Sequence, residues 1–195
     1  GRAFTDAGLE RLRQEAPQAA AEGRIQVFCL GTSMNLDGIE HYRPVYVHAK
    51  VAVIDDTWST VGSGNLNNRG MHDDTEMNVA VLDRSLSQGL RLMLIGEHLG
   101  LFDEDDLFVV ARHLGHQRQS AKAEQRALEV QHALHKMLSD PMVGLGQMME
   151  NARENLQRYK ARQPLVGHLL PYLTAEEARR EGLNFREKVG WLEEA

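Results

Sequence analysis

Cysteine is almost missing from this chain: Cys29 is the only one in 195 residues. An internal disulfide is therefore excluded, as is a thiolate cage for a metal, and the redox compartment is left open. Long apolar runs are missing too. None approaches the roughly 18 residues that a membrane span requires, and Leu92-Met-Leu-Ile-Gly96 is soon interrupted by Glu97 and His98. The opening residues do not show the basic, apolar and small-residue pattern of a secretion signal. Basic residues are not in excess: 22 Lys and Arg stand against 28 Asp and Glu, for a net charge of −6. Proteins that coat nucleic acid neutralise phosphates and normally show a basic surplus, so nucleic acid is not the expected partner. What is present is ordinary globular composition, 42% hydrophobic and 26% charged, which rules out a disordered chain, a collagen-like chain and a coiled-coil rod.

Two compositional halves follow one another. Up to residue 83 the sequence contains strand-like runs with turn punctuation; from 84 onward it reads almost entirely as helix and loop. Thr5–Ala21 has helical character that Pro17 interrupts. Arg24–Leu30 is β-rich, and Gly31–Arg43, with Gly31, Asn35, Asp37 and Gly38, reads as a polar loop. Val45–Asp55 alternates: Val45, Val47, Ala49, Val51 and Val53 share one face, while Tyr46, His48, Lys50, Ala52 and Ile54 share the other. Asp55-Asp56 marks a turn, and Trp58–Gly62 and Thr75–Leu82 are further strands. Such short apolar strands are expected in a sheet covered by helices. In the second half Ser85–Leu99 is expected as a helix capped by Asp83 with Leu86, Leu90, Met93 and Leu94 on its apolar face. Ala123, Ala127, Val130, Leu134 and Met137 form a second seam. Pro141 opens a third helix with Leu145, Met148, Ala152, Leu156 and Tyr159 on one face, and a charged helix lies near Ala175–Arg180.

The chemistry concentrates between His48 and Glu76. His48 and Lys50 are two residues apart in an alternating run, so a strand projects both from the same face. Placing an imidazole and an ammonium there is costly if the face is buried and dry, and the cost vanishes if the face opens onto an anion. Gly62-Ser63-Gly64-Asn65 follows the next strand; its glycines let backbone approach a ligand, and Ser63 and Asn65 supply a hydroxyl and an amide. Converging on one point, these groups suit a single phosphate. Imidazole can attack phosphorus or carry a proton, and the ammonium stabilises charge on the phosphoryl oxygens.

In this order, His48-x-Lys50-x4-Asp55, six residues, then Gly62-Ser63-x-Asn65, the sequence resembles the HKD signature of the phospholipase D superfamily, and Glu76 stands where that family has an acid that bonds the catalytic imidazole. Tyr46-Val-His-Ala-Lys50 and Thr75-Glu-Met-Asn78 are similar to the words around its second, C-terminal motif, and Gly167-His-Leu-Leu-Pro171 is similar to the end of bacterial phospholipase D-like proteins. The resemblance implies a layered α/β/α half-domain with a mixed sheet over residues 1–100, followed by a helical tail over 101–195. It implies a two-step, metal-free and cofactor-free attack on a phosphodiester through a phosphohistidine, with phospholipid as the expected substrate. His48 would be the general acid/base, with nucleophile as the alternative role. Lys50, Ser63 and Asn65 would hold phosphoryl oxygens, Glu76 would orient His48, and Asp55 would be structural, tying a basic group. A nuclease or a cardiolipin synthase-type transferase would use the same chemistry on other substrates, whereas a half-domain devoted to assembly would use none.

A complete site in that family takes two motifs, and no other histidine here has lysine two residues on. The chain is therefore expected to partner either an N-terminal HKD half of the same protein or a second copy of itself. Its start at Gly1, only 47 residues before His48, favours a piece of a longer two-motif protein. The remaining features read as structural. His113/His116 and His132/His135 have a metal-like i, i+3 spacing but no acidic partners in pattern. Glu129-x-x-His132 is a single copy of a motif that di-iron sites use twice. Asp103–Asp106 suits a helix start, Asn67–Gly70 a turn with Arg69 free to pair with Asp55 or another acid, and the Met148-Met149 region core packing, or peripheral membrane contact if it is exposed.

Overall fold

The structure is a computed structural model that describes residues 2–65, 67–187 and 190–192. Along the chain come α1 (Arg2–Glu15), α2 (Pro17–Ala21), β1 (Phe28–Leu36), β2 (Ile39–Pro44), β3 (Lys50–Ile54), β4 (Trp58–Gly62), α3 (Asn68–His72) and β5 (Asn78–Leu82). The helical stretch follows with α4 (Arg84–His98), α5 (Glu104–Leu114), α6 (Ala121–Leu138) and α7 (Pro141–Lys160), and the chain closes with β6 (Leu169–Pro171) and α8 (Ala175–Arg180).

The α/β class is as expected, but the sheet differs in detail from a single mixed one. The described strands form two three-stranded sheets, β2-β1-β6 and β3-β4-β5, and each pairing is antiparallel. The compact units also divide the chain elsewhere than at residue 100. One comprises Gly1–Tyr46 with Pro141–Ala195, the other Val47–Asp140.

In the first unit the expected loop over 31–43 is instead a hairpin. Asp37 and Gly38 both have positive φ, 51° and 83°, between the paired residues Leu36 and Ile39. Asp-Gly is the pair that mirror-image two-residue turns favour, and this turn chemistry outweighs the polarity of the segment. The tail is not wholly helical either: Leu169 and Leu170, 1% and 0% exposed, lie in β6 beside β1, and Leu170 joins the core. Tyr42, Leu156, Leu170, Ala178, Trp191 and Leu192 form that core. Tyr159 stands edge-on between Tyr42 and Trp191, with centroids 4.8 and 5.2 Å away. The expected face of α7 points inward, joined by fully buried Asn155. Its Nδ2 donates to Val166 O and Leu169 O, and its Oδ1 accepts from Val166 N. Every polar atom of that amide is thus used to pin the loop after α7, as a buried amide requires.

In the second unit β4 is central, and α4 packs on the face that carries Val53, Ser59 and Val81; Ser87 Oγ donates to Ser59 Oγ at 3.0 Å with both residues buried. On the opposite face Ile54 and Leu82 are 53% and 83% exposed. Asp83 caps α4 as expected, accepting from Leu86 N. The buried stripe of α4 is Ser87, Gly89, Leu92 and Gly96 rather than the leucine face. Small residues win there because α6 and the α4–α5 connection approach closely: a Cβ on Gly96 would lie 2.6 Å from both Leu134 and Phe102. The seam of α6 holds at Ala127, Val130 and Leu134 and finishes at Leu138, leaving Met137 38% exposed. Asp103 caps α5, and Asp106, in its first turn, takes a two-pronged contact from Arg126 of α6 at 2.6 and 2.7 Å.

At the β3–β4 turn Thr57 N donates to Ile54 O, and Asp55 and Asp56 between them have φ of 52° and 55°. Asp56 is clamped by Arg91 of α4, whose Nε and Nη2 donate at 2.6 and 2.8 Å, and by Gln88 at 3.1 Å. Arg91 also donates to Leu138 O and Ser139 O, at the end of α6. One guanidinium thus ties the hairpin turn to two helices. Its hydrogen bonds, above all, hold the Asp56 carboxyl below the ordinary aspartate range. A depressed carboxyl stabilises the fold above the ordinary value, and this stabilisation is lost as pH falls through the folded-state value. Because both side chains are mostly buried, Asp56→Ala is expected to cost about 3 kcal/mol in urea unfolding and to flatten the acid-side loss of stability. Asp55→Asn, at an exposed position whose φ asparagine tolerates, is expected to stay within about 0.5 kcal/mol.

Candidate functional site

Pairing in the β3-β4-β5 sheet sets the candidate residues in order. Lys50 lies opposite Gly62, and Gly62 opposite Asn78, so these three form a row across one end of the sheet. Neighbouring strands are about 4.8 Å apart, which puts the flanks of the row about 10 Å from each other. His48 lies two residues before Lys50, Ser63 and Asn65 follow Gly62, and Glu76 precedes Asn78 by two. The termini of three strands thereby gather His48, Lys50, Ser63, Asn65 and Glu76 at one sheet end, with His48 and Glu76 on opposite sides of β4. Asp55 does not join them. It sits at the other end of β3, roughly 17 Å away at ~3.3 Å per residue.

The local contacts are specific. Val45–Ala49 is not strand, so His48 lies on an exposed extended approach to β3 rather than within it. The run is too exposed to behave as a half-buried strand; Tyr46 and Val47 are 86% and 56% accessible. Lys50 Nζ donates to His48 O at 2.6 Å, tying the ammonium to the imidazole-bearing segment. Past the end of β4, Ser63 N donates to Met77 O at 3.0 Å, and Ser63 Oγ accepts from Met77 N at 3.1 Å. Gly64 N donates to Asn78 Oδ1 at 3.0 Å. Asn65 is exposed; Asn67 N donates to Asn65 O, and Asn67 Oδ1 in turn accepts from Gly70 N at 2.7 Å, so the expected turn becomes the cap of α3. Arg69 pairs with Asp74, an acid of its own loop, rather than with Asp55.

Two contributors were not assigned from sequence. Asn78 is one: its amide lies over Gly62, where a Cβ would fall 2.0 Å from Asn78 Oδ1 and 2.4 Å from Met77 O. The signal was available, since Asn78 ends the Thr75–Asn78 word and sits one strand across from the glycine loop. Asp56 is the other; it, and not Asp55, ties the basic group at the hairpin turn. Chemically, the sheet end offers an imidazole, an ammonium, a hydroxyl, an amide and a carboxylate, with His48, Ser63 and Asn65 open to solvent. This donor set suits an oxyanion. Among the described residues no group of three metal-ligating side chains comes together.

Residues 6–93 match the family described as cardiolipin synthase, PLD-like domain. Over these residues the chain is similar to the phospholipase D superfamily. It is 33% identical over 96 residues, 40% of this chain, to a phospholipase D of Phytophthora infestans, of which the match covers 5%. It is 46% identical over 55 residues, 28% of this chain, to cardiolipin synthase B of Escherichia coli K12, covering 13% of that protein. Against phospholipase D zeta 1 of Arabidopsis thaliana it is 35% identical over 82 residues, 33% of this chain and 8% of the relative. The chain thus spans only a small part of the curated relatives it matches. No solved structure matches it.

Because Gly62 is enclosed by a neighbouring backbone carbonyl as well as by an amide, Gly62→Ala is expected to cost about 2 kcal/mol in thermal or urea unfolding. Adding Asn78→Ala should recover only part of it, since Met77 O remains in the way. Full recovery would show that the side chain alone sets the constraint.

Proposed function

We propose that this chain supplies one of the two catalytic motifs of a phospholipid phosphodiesterase or phosphatidyl transferase. The observation that carries the reading is the row Lys50–Gly62–Asn78, which gathers His48, Lys50, Ser63 and Asn65 at one open sheet end. In the first step a histidine nitrogen from the partner motif attacks phosphorus. A P–N bond forms, the P–O bond to the leaving alcohol breaks, and His48 gives that alcohol its proton. In the second step water or an acceptor alcohol attacks the phosphohistidine; His48 takes the incoming proton as the P–N bond breaks, and the nitrogen of the other imidazole recovers its lone pair. Lys50 offsets the charge on the phosphoryl oxygens, and Ser63 and Asn65 hydrogen-bond them, throughout. Glu76 orients His48 only if assembly of the two motifs closes the span across β4 that separates them, and Asp55 stays outside the reacting groups. Likeness to proteins named cardiolipin synthase supports an alcohol acceptor beside water.

Combined with a polypeptide that carries the missing motif, or as the full-length protein, the chain is expected to release head group from phospholipid vesicles and, with glycerol-type acceptors, to form the transfer product. His48→Asn should lower kcat by about 10²–10⁴-fold, and Lys50→Ala by about 10²–10³-fold, with the fold unchanged by circular dichroism. Undiminished turnover in His48→Asn would remove that residue from the mechanism. Cleavage of oligonucleotides with vesicles left intact would move the chemistry to a nuclease, and inactivity towards every phosphodiester in the two-motif form would leave an assembly role.

A further inference from the structure

The pair His132/His135 takes no part in the sheet-end site, yet the fold gives it a setting of its own. On α6, Leu128, Gln131, His132 and His135 follow one another at i, i+3, i+4 and i+7, a single stripe of the helix. On α4, Ser85, Gln88, Gly89 and Leu92 repeat the same spacing, and the two stripes line an open cleft of about 450 Å³. Small-molecule sites commonly measure about 300–1,000 Å³ and combine apolar walls with a few polar groups. Here Leu92 is 3% exposed and forms the floor, Leu128 is 48% exposed and forms one wall, and Gly89 contributes backbone alone. The rim carries both imidazoles and the Gln131 amide, and no carboxylate is among the lining residues. Gln88 is held from behind, its Nε2 spent on Asp56, so that part of the wall is fixed. Apolar depth beneath a donor-bearing rim free of acids complements an anion with a hydrocarbon portion rather than a cation.

We propose that the α4–α6 cleft binds a small anionic amphiphile, its carboxylate or phosphate head on His132, His135 and Gln131 and its chain against Leu92 and Leu128. This site stands apart from the Lys50 end of the sheet and does not depend on the catalytic reading.

Titration of the whole chain with octanoate and with octyl phosphate in weakly acidic buffer, followed by NMR, tests it. Both probes, or one of them, should shift the His132 and His135 ring signals saturably. The arm that binds more tightly identifies the head group. Octanol and acetate, each missing one half of the ligand, should bind at least about tenfold more weakly. The double variant His132→Gln/His135→Gln should lose about tenfold or more in affinity, and Leu128→Ser, at an exposed position, should weaken binding without unfolding. Absence of saturable shifts with either probe would overturn the proposal, as would binding equally well to octanol or to the folded double variant.

Discussion

One antiparallel register determines where every candidate site residue falls. In the β3-β4-β5 sheet, Lys50, Gly62 and Asn78 lie abreast, and a slip of one residue would turn each side chain to the other face. Register is held from both ends. At the turn, left-handed Asp55 and Asp56 close the hairpin, and Arg91 clamps Asp56 to α4 and to the end of α6. At the site, Gly62 is enclosed by the Asn78 amide and the Met77 carbonyl. The acid of the motif that does the tying is therefore the one beside the expected aspartate, at the end of the hairpin furthest from the chemistry.

This arrangement divides labour within the second unit. Two of its carboxylates are shielded from solvent and paired, Asp56 with Arg91 and Asp106 with the half-exposed Arg126. Its candidate chemical groups stand at strand ends and in loops, where solvent or a partner surface can reach them. Binding residues on loops positioned by a rigid scaffold are a common solution, because strand interiors leave few polar groups free. The exposed Ile54 and Leu82 belong to the same unit as these candidate groups.

Much of this was legible in the sequence. The spacing of His48, Lys50, Gly62, Ser63 and Asn65 marked the candidate groups, because glycine turns are local, but His48 precedes β3 and strand parity does not place it. Helix starts at Asp83, Asp103 and Pro141 were legible for the same reason: each rests on a cap or a fixed φ. What escaped was decided by distant chain. Leu169–Pro171 becomes strand only because β1 offers an edge. The packing stripe of α4 falls on glycines and serine because α5, α6 and β4 come close, and no periodicity of apolar residues marks that. The Asp37-Gly38 hairpin was a local signal masked by the polarity of its strands.

An oxyanion is expected to bind at the Lys50 end of the sheet. Titrating the chain with inorganic phosphate, and following assigned backbone and imidazole NMR signals, tests it most directly. Saturable shifts should appear at His48, Lys50, Ser63 and Asn65 while Asp55 and Asp56 stay silent. Shifts centred on the Asp55 turn, or a folded chain whose Lys50 end does not respond at any phosphate concentration, would contradict it.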